Sequence, residues 1–235
     1  FHEFGHLLHH LTSRVPIPAR GGLNVAWDWV ELPSQLMENW TWEEDALTLF
    51  SGHFETGEPL PSHILDRMTA ARRFMGGWHQ MRQLSFGTLD LALHGTFAPA
   101  LTAVPGGGPG DGTGDPAVEA LLDFVEDHLM AYSPGPSFAR SHILTTFSHL
   151  FSGGYAAGYY SYLWSEVLDA DAFTRFKEEG VLNRTPGEAY LETILSRGDS
   201  AEPQELFREF LGRDPDPSAL MERNLGLSPE HSTGS

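Results

Sequence analysis

Apolar positions recur with a helical period along almost the whole chain, and no segment carries a convincing strand alternation of apolar and polar residues. A first helix is predicted over residues 1–13, ended by a Pro- and Gly-bearing loop over 14–22. A second is predicted over 30–39, with Pro33 tolerated in its first turn. A third follows over 41–51, where Thr41 can cap and Glu43 and Glu44 favour the first turn. After a turn at 56–61, Ser62 is expected to cap a long stretch to about residue 94, interrupted at Gly76-Gly77. Further helices are predicted at about 117–132, 141–150, 156–180, 185–196, 202–211 and 217–224. The run from Pro105 to Pro116 is so dense in glycine that it is read as a mobile loop. It resembles a phosphate cradle only superficially, since GxxxxGK[ST] and a following lysine are missing. No internal repeat is visible, and the expected fold class is mainly α.

Composition narrows the functions open to such a fold. The 235 residues suit one large domain or two small ones, and a hydrophobic fraction of 40% is enough for a sizeable core. Lys and Arg number 14 against 32 acidic residues, a formal net charge of −18. Phosphate backbones and anionic membrane surfaces call for a basic patch, and none is visible, so neither nucleic acid nor membrane is an expected partner. The acidity is read as a solvated surface that keeps the protein soluble. There is no cysteine. Disulfides and thiolate-bound zinc are thereby excluded, and any metal must use His and carboxylate ligands. A reducing, cytoplasmic compartment fits this composition, and no apolar run approaches the roughly 20 residues that span a bilayer. The chain opens on Phe1-His2-Glu3 without an initiator Met and is read as a segment of a longer protein.

That opening carries the chemistry. His2-Glu3-Phe4-Gly5-His6 is an HExxH motif. On a helix, residues four apart share a face, so His2 and His6 can aim ring nitrogens at one tetrahedral zinc while Glu3 stays free to reach a water molecule. A bare HExxH is only moderately specific, and a third ligand decides its meaning. Glu31, at the start of the next predicted helix, can supply it, although a carboxylate there can equally be an ordinary surface group. A His2Glu set leaves the fourth zinc position open, the arrangement of catalytic rather than structural sites. His9 and His10 lie on the same helix, and the drift of successive i+4 steps turns His10 away from the metal. Asp28 and Glu38 are candidates for orienting the imidazoles, or are simply solvated carboxylates.

HEFGH is followed by WVELPSQLMENW at 29–40, SGHFETGEPLP at 51–61, GGYAAGYYSYLW at 153–164 and ILSRG at 194–198. Together these resemble the thimet oligopeptidase family of zinc peptidases, especially its bacterial branch, over nearly the whole chain. The resemblance implies a multi-helical, zincin-like catalytic domain spanning 1–235, with the HExxH helix and a second helix that supplies the Glu ligand. It implies one Zn2+ per chain on His2, His6 and Glu31, with Glu3 as the general base. His149 and Tyr155 match residues that hydrogen-bond the tetrahedral intermediate, and Tyr159 and Tyr162 match tyrosines that face bound peptide. The residues themselves support this less sharply. Ser152-Gly153-Gly154 can form a hinge, and from Tyr155 positions 159 and 162 fall at i+4 and i+7 on one helix face. A tyrosine stripe is more often core packing, and Tyr160 is assigned there.

The resemblance further implies short peptides as substrates, hydrolysed by water that zinc activates and Glu3 deprotonates. It implies a monomer, normally joined to an upstream helical region that forms the opposite wall of a substrate channel. The Gly-rich segment matches no motif of the family. A helix whose second residue is a ligand has no N-cap. This chain by itself is therefore expected to bind zinc weakly and turn over little. Two alternatives remain: a dipeptidyl carboxypeptidase of the same family, and a non-catalytic peptide-binding chain. The latter would be marked by loss of a ligand or of the base, and neither is lost.

Overall fold

The structure, a computed structural model, describes residues 1–97, 116–135 and 143–227. Its described residues are helices and connecting turns with no strand, so the mainly α expectation holds. Two compact units result. One combines Phe1–Gly76 with the chain from Trp164 onward; the other is Gly77–Leu163. Among the described residues no helix is long and apolar enough to cross a membrane. The Gly-rich loop predicted over 105–116 lies outside the described residues except for Pro116, as does the helix start predicted at Ser141.

The first unit begins with α1 (His2–Leu11). The helix predicted over 30–39 is α3 (Leu32–Glu38), and a short helix that was not predicted, α2 (Trp27–Val30), precedes it. Pro33 has no N–H to give the Trp29 carbonyl and its ring crowds that carbonyl, so the chain turns at Glu31 before helix resumes. Thr41 does not cap the next helix. It lies in a 3-10 turn, Asn39–Trp42, with its hydroxyl donating to the Glu38 carbonyl at 2.7 Å, and α4 (Glu44–Phe50) starts after Glu43. Ser62 likewise is the first residue of α5 (Ser62–Arg73) rather than its cap, and its hydroxyl donates to Glu44 Oε1 at 2.6 Å.

The break expected at Gly76-Gly77 falls just earlier, where Met75 is left-handed at φ 57°. Gly76 instead opens α6 (Gly76–Ala92), and its missing Cβ is what lets the Asn224 carbonyl lie against it. Further helices of this unit are α10 (Tyr160–Glu179, entering from the other unit), α11 (Arg184–Tyr190, continued by a π-helix, Leu191–Leu195), α12 (Pro203–Leu211) and α13 (Ser218–Leu225). Those between α6 and α10 are described below.

The core of this unit joins Trp29, Leu32 and Leu36 of α2 and α3 to Leu168, Phe173 and Phe176 of α10 and to Phe207 and Phe210 of α12. Trp40 meets Phe173 and Phe176 edge-on, at 4.9 and 5.0 Å between centroids, and donates its indole N–H to the Val181 carbonyl at 2.8 Å. Such pairs add about 0.5–1.5 kcal/mol each beyond the area they bury. Two buried carboxylates of α10 are paired. Asp169 takes Arg223 at 2.5 Å and Asn39 at 2.7 Å, and Asp171 takes Arg213 at 2.5 Å and the Asp216 N–H at 2.8 Å. Removing one partner of such a pair costs roughly 3–5 kcal/mol, because it strands a charge away from water.

The second unit packs α6 against α7 (Pro116–Met130) and the short helices α8 (Ile143–Thr146) and α9 (Ser148–Phe151) around Leu89, Val125, Leu129, Phe147 and Leu150. The single helix predicted to end at Leu150 is thus divided at Phe147 (φ −86°, ψ 71°). The helix predicted from residue 156 starts only at Tyr160, for a reason that belongs to the candidate site. Tyr160, assigned to the core, is 41% exposed.

His9 is a buried polar residue of the first unit. It is wholly enclosed, and neither ring nitrogen has a hydrogen-bond partner among the described residues. Burial, with smaller contributions from His6 and His10, pushes its imidazole down to about 4. The unfolded chain takes up this proton near pH 6.5, the folded chain only near 4. Stability present above pH 6.5 is therefore lost as the pH falls through that window, by roughly 3 kcal/mol for the full shift. His9→Leu is expected to flatten this loss. Urea midpoints measured at about pH 7 and about pH 4.5 should differ less in the variant than in the parent. Equal pH dependence in the two proteins would show that His9 is charged in the fold.

Candidate metal centre

One face of α1 carries His2, Gly5, His6 and His9 at helical spacing. Gly5 is buried, and a Cβ there would reach Ser34 Cα at 2.5 Å and run into the Pro33 carbonyl. α1 and α3 therefore approach backbone to backbone at the middle of the HExxH motif, and the two histidines flank the contact. Across it stands Glu31, 4% exposed, at the turn between α2 and α3.

This contact sets the distances among the three expected ligands. Glu31 Oε2 lies 3.4 Å from His2 Nε2 and 3.2 Å from His6 Nε2, and the three donor atoms all fall within 4.8 Å of one another. A tetrahedral centre with bonds of about 2.0–2.1 Å sets its ligand atoms roughly 3.3 Å apart. Two neutral imidazole nitrogens and a carboxylate oxygen are also the donor types that zinc takes in catalytic sites. The residues present thus fit the ion on both spacing and chemistry.

The surroundings orient the donors. His2 Nδ1 is 2.7 Å from Glu38 Oε1, so Glu38 fixes the ring that would present Nε2 to a metal. The Ser34 hydroxyl lies 2.9 Å from both the Glu31 carbonyl and Glu31 Oε2, and its one proton serves either. The Glu31 carboxylate beside His6 holds that imidazole above its usual range, against the opposing effect of burial, with Glu31 and Glu3 charge adding to the rise. A cation is thus stabilised at this point. Glu3 is exposed on α1, next to His2. His10 is exposed and turned to the backbone of Gly22, where a Cβ would meet its Nδ1 at 2.6 Å. Asp28 is half-buried on α2.

The other expected residues form a cluster within the second unit. Tyr155 stacks on Tyr162 at 4.9 Å, Tyr159 is 5.3 Å from Tyr162, and the His149 ring lies 5.9–6.1 Å from Tyr159, Tyr162 and Tyr155. The grouping is as expected, but its cause is different. Tyr155 and Tyr159 precede α10, so no i+4, i+7 stripe of one helix runs through them. A turn brings them together instead. Gly154 and Ala157 are left-handed at φ 83° and 55°, and the buried Asp90 of α6 accepts the N–H groups of Ala157 at 2.9 Å and Tyr159 at 2.8 Å. His94 Nδ1 lies 2.8 Å from the same carboxylate. Hydrogen bonds to a charged acceptor contribute about 1.5–3 kcal/mol each, enough to offset the strain of a left-handed alanine.

Sequence reasoning missed three of these positions. Gly5 carried a signal, since glycine inside a helix is unfavourable by about 1 kcal/mol and needs a packing reason. Asp90 carried a weaker one, as an acid between Leu89 and Leu91 in an apolar stretch. Ser34 carried none.

An HExxH helix backed by a glutamate at ligand distance gives this helical chain the donor set of a metal centre. The chain matches the model of peptidase family M3 over residues 1–225 and belongs to that family. It is 49% identical to oligopeptidase A of Escherichia coli over 223 residues, which cover 94% of this chain and 30% of the relative. It is 33% identical to the dipeptidyl carboxypeptidase of the same organism, covering 92% of this chain and 29% of that protein. Identity to saccharolysin of Saccharomyces cerevisiae is 31%, covering 97% and 30%. The chain thus spans about 30% of the length of these relatives, and the resemblance read from its motifs is borne out at the level of the family.

Gly5→Ala tests the contact on which the centre rests. Alanine is the better helix former by about 1 kcal/mol, so helix propensity alone favours the variant. The expected outcome is opposite: a lower melting temperature, and zinc affinity reduced on the order of tenfold or more in competition with a chromophoric chelator. Unchanged affinity would show that His2 and His6 do not depend on this approach.

Proposed function

We propose that this chain is the metal-binding, catalytic part of a zinc metallopeptidase that hydrolyses short oligopeptides. The observation that carries the reading is the triad of His2 Nε2, His6 Nε2 and Glu31 Oε2 at zinc-ligand spacing, within an HExxH motif of an M3 family chain. One zinc ion held by these three residues would supply a Lewis acid that polarises a peptide carbonyl and makes water acidic near neutral pH.

The chain's own groups do the rest. Glu3, adjacent to His2 and exposed, takes the proton of the attacking water and returns it to the leaving amine. Glu38 keeps the His2 ring in place through Nδ1, and Ser34 does the same for the Glu31 carboxylate. His149 and Tyr155 are assigned as donors to the carbonyl oxygen as its charge develops, each contributing on the order of 3 kcal/mol. Tyr159 and Tyr162 are assigned to contact with the peptide. The stacking of Tyr155 on Tyr162 supports treating these side chains as one surface.

The names of the relatives support the substrate class, and the higher identity to oligopeptidase A than to dipeptidyl carboxypeptidase, 49% against 33%, favours the oligopeptidase reading. The cytoplasm is the proposed compartment, on the absence of cysteine.

Glu3→Gln separates the base from the ligands. Elemental analysis is expected to find the same zinc content as in the parent. Chelator-sensitive cleavage of a quenched fluorescent peptide should fall by roughly a hundredfold or more. Loss of zinc together with activity would contradict the division of roles.

A further inference from the structure

The second unit holds a cavity of about 520 Å3, within the range of roughly 300–1,000 Å3 typical of small-ligand pockets. Its walls are largely aromatic and apolar, with Phe86 of α6, Phe147 between α8 and α9, and Tyr159 among them. Phe86 and Tyr159 both meet Phe147, at 5.0 and 4.7 Å between centroids, so three rings form a continuous face.

Among the described residues, one permanent cation lines this cavity. Arg82 of α6 lies with its guanidinium 4.4 Å above the Phe86 ring and makes no ion pair among the described residues. No Asp, Glu or Lys is among the described lining residues. In a chain of net charge −18 an anionic ligand is repelled by most of the surface. A carboxylate is therefore drawn to the place where an exposed arginine without an ion pair borders an apolar cavity. The ring face and the guanidinium adjoin, so a ligand meets both only if it carries a large apolar group and a carboxylate close together. A terminal residue does so on a single Cα, whereas an acidic side chain belongs to a neighbouring residue and places its carboxylate farther from the ring.

We propose that this cavity takes the C-terminal residue of a peptide ending in an aromatic or large apolar side chain. The side chain lies against Phe86, Phe147 and Tyr159, and the terminal carboxylate is held by Arg82. The proposal rests on the peptidase reading and adds a preference for free C-termini to it.

Calorimetric titration of the chain with small probes tests this without requiring turnover. N-Acetylphenylalanine is expected to bind roughly fivefold tighter than N-acetylphenylalaninamide, the scale of one partly exposed charge-assisted contact. N-Acetylglycine, which keeps the carboxylate and lacks the ring, should bind more weakly than N-acetylphenylalanine. Arg82→Met should erase the preference for acid over amide, and Arg82→Lys should keep part of it. Equal binding of acid and amide, absence of binding by either, or a preference that survives Arg82→Met would overturn the proposal. So would N-acetylaspartylphenylalaninamide binding as tightly as the free acid, since its only carboxylate is on a side chain. Chelator-sensitive cleavage is scored on the same samples. Cleavage without the acid preference leaves the peptidase reading standing and removes this one; the preference without cleavage does the reverse.

Discussion

The approach of two helix backbones at Gly5 is the constraint on which the candidate centre depends. Donor atoms on separate elements come within about 3.3 Å, the edge of a small tetrahedron, only if the elements themselves nearly touch. Here α1 meets α3 where a side chain larger than hydrogen has no room. His2 and His6 then face Glu31 without any long side chain having to bridge the gap. The motif's spacing puts two histidines on one face; the glycine between them lets that face be used.

The partner helix has to be held as firmly as the histidines. Pro33 ends α2 and so places Glu31 at a junction, with its carboxylate turned to α1. The far end of α3 is anchored by charge. Asn39, next to the Glu38 that orients His2, bonds to Asp169 of α10 and accepts from Arg223 of α13 at 3.0 Å. A buried carboxylate shared between an arginine and an amide is strongly destabilising if any partner is lost. The residue that positions His2 therefore follows a network that cannot shift cheaply. In the second unit Asp90 serves a comparable purpose, accepting the backbone N–H groups of Ala157 and Tyr159 just before α10 and so holding the turn that carries Tyr155 and Tyr159.

Much of this was legible in the chain itself, for reasons of range. His2, Glu3 and His6 could be singled out because helical periodicity acts over a few residues, whereas Glu31 was settled on only through the family resemblance; the helices after residue 180 could be placed because the signals that start them are local. What long-range contact decides was not legible. Asp169 and Arg223 lie 54 residues apart, Asp90 and Tyr159 lie 69 apart, and no local pattern announces either pair. The tyrosine stripe shows the same limit. The residues were grouped correctly on an assumption of helix that Asp90 and the left-handed Ala157 overrule. The break at Phe147 and the position of Met75 are further cases in which packing overrides propensity.

Zinc K-edge absorption on the zinc-loaded chain tests the centre most directly. If α1 and α3 meet as described, the spectrum will show a low coordination number with multiple scattering from two imidazoles and the remainder from oxygen, and Glu31→Gln will alter the oxygen shell while leaving both imidazoles. A shell with one imidazole, with three, or with oxygen alone would contradict the account.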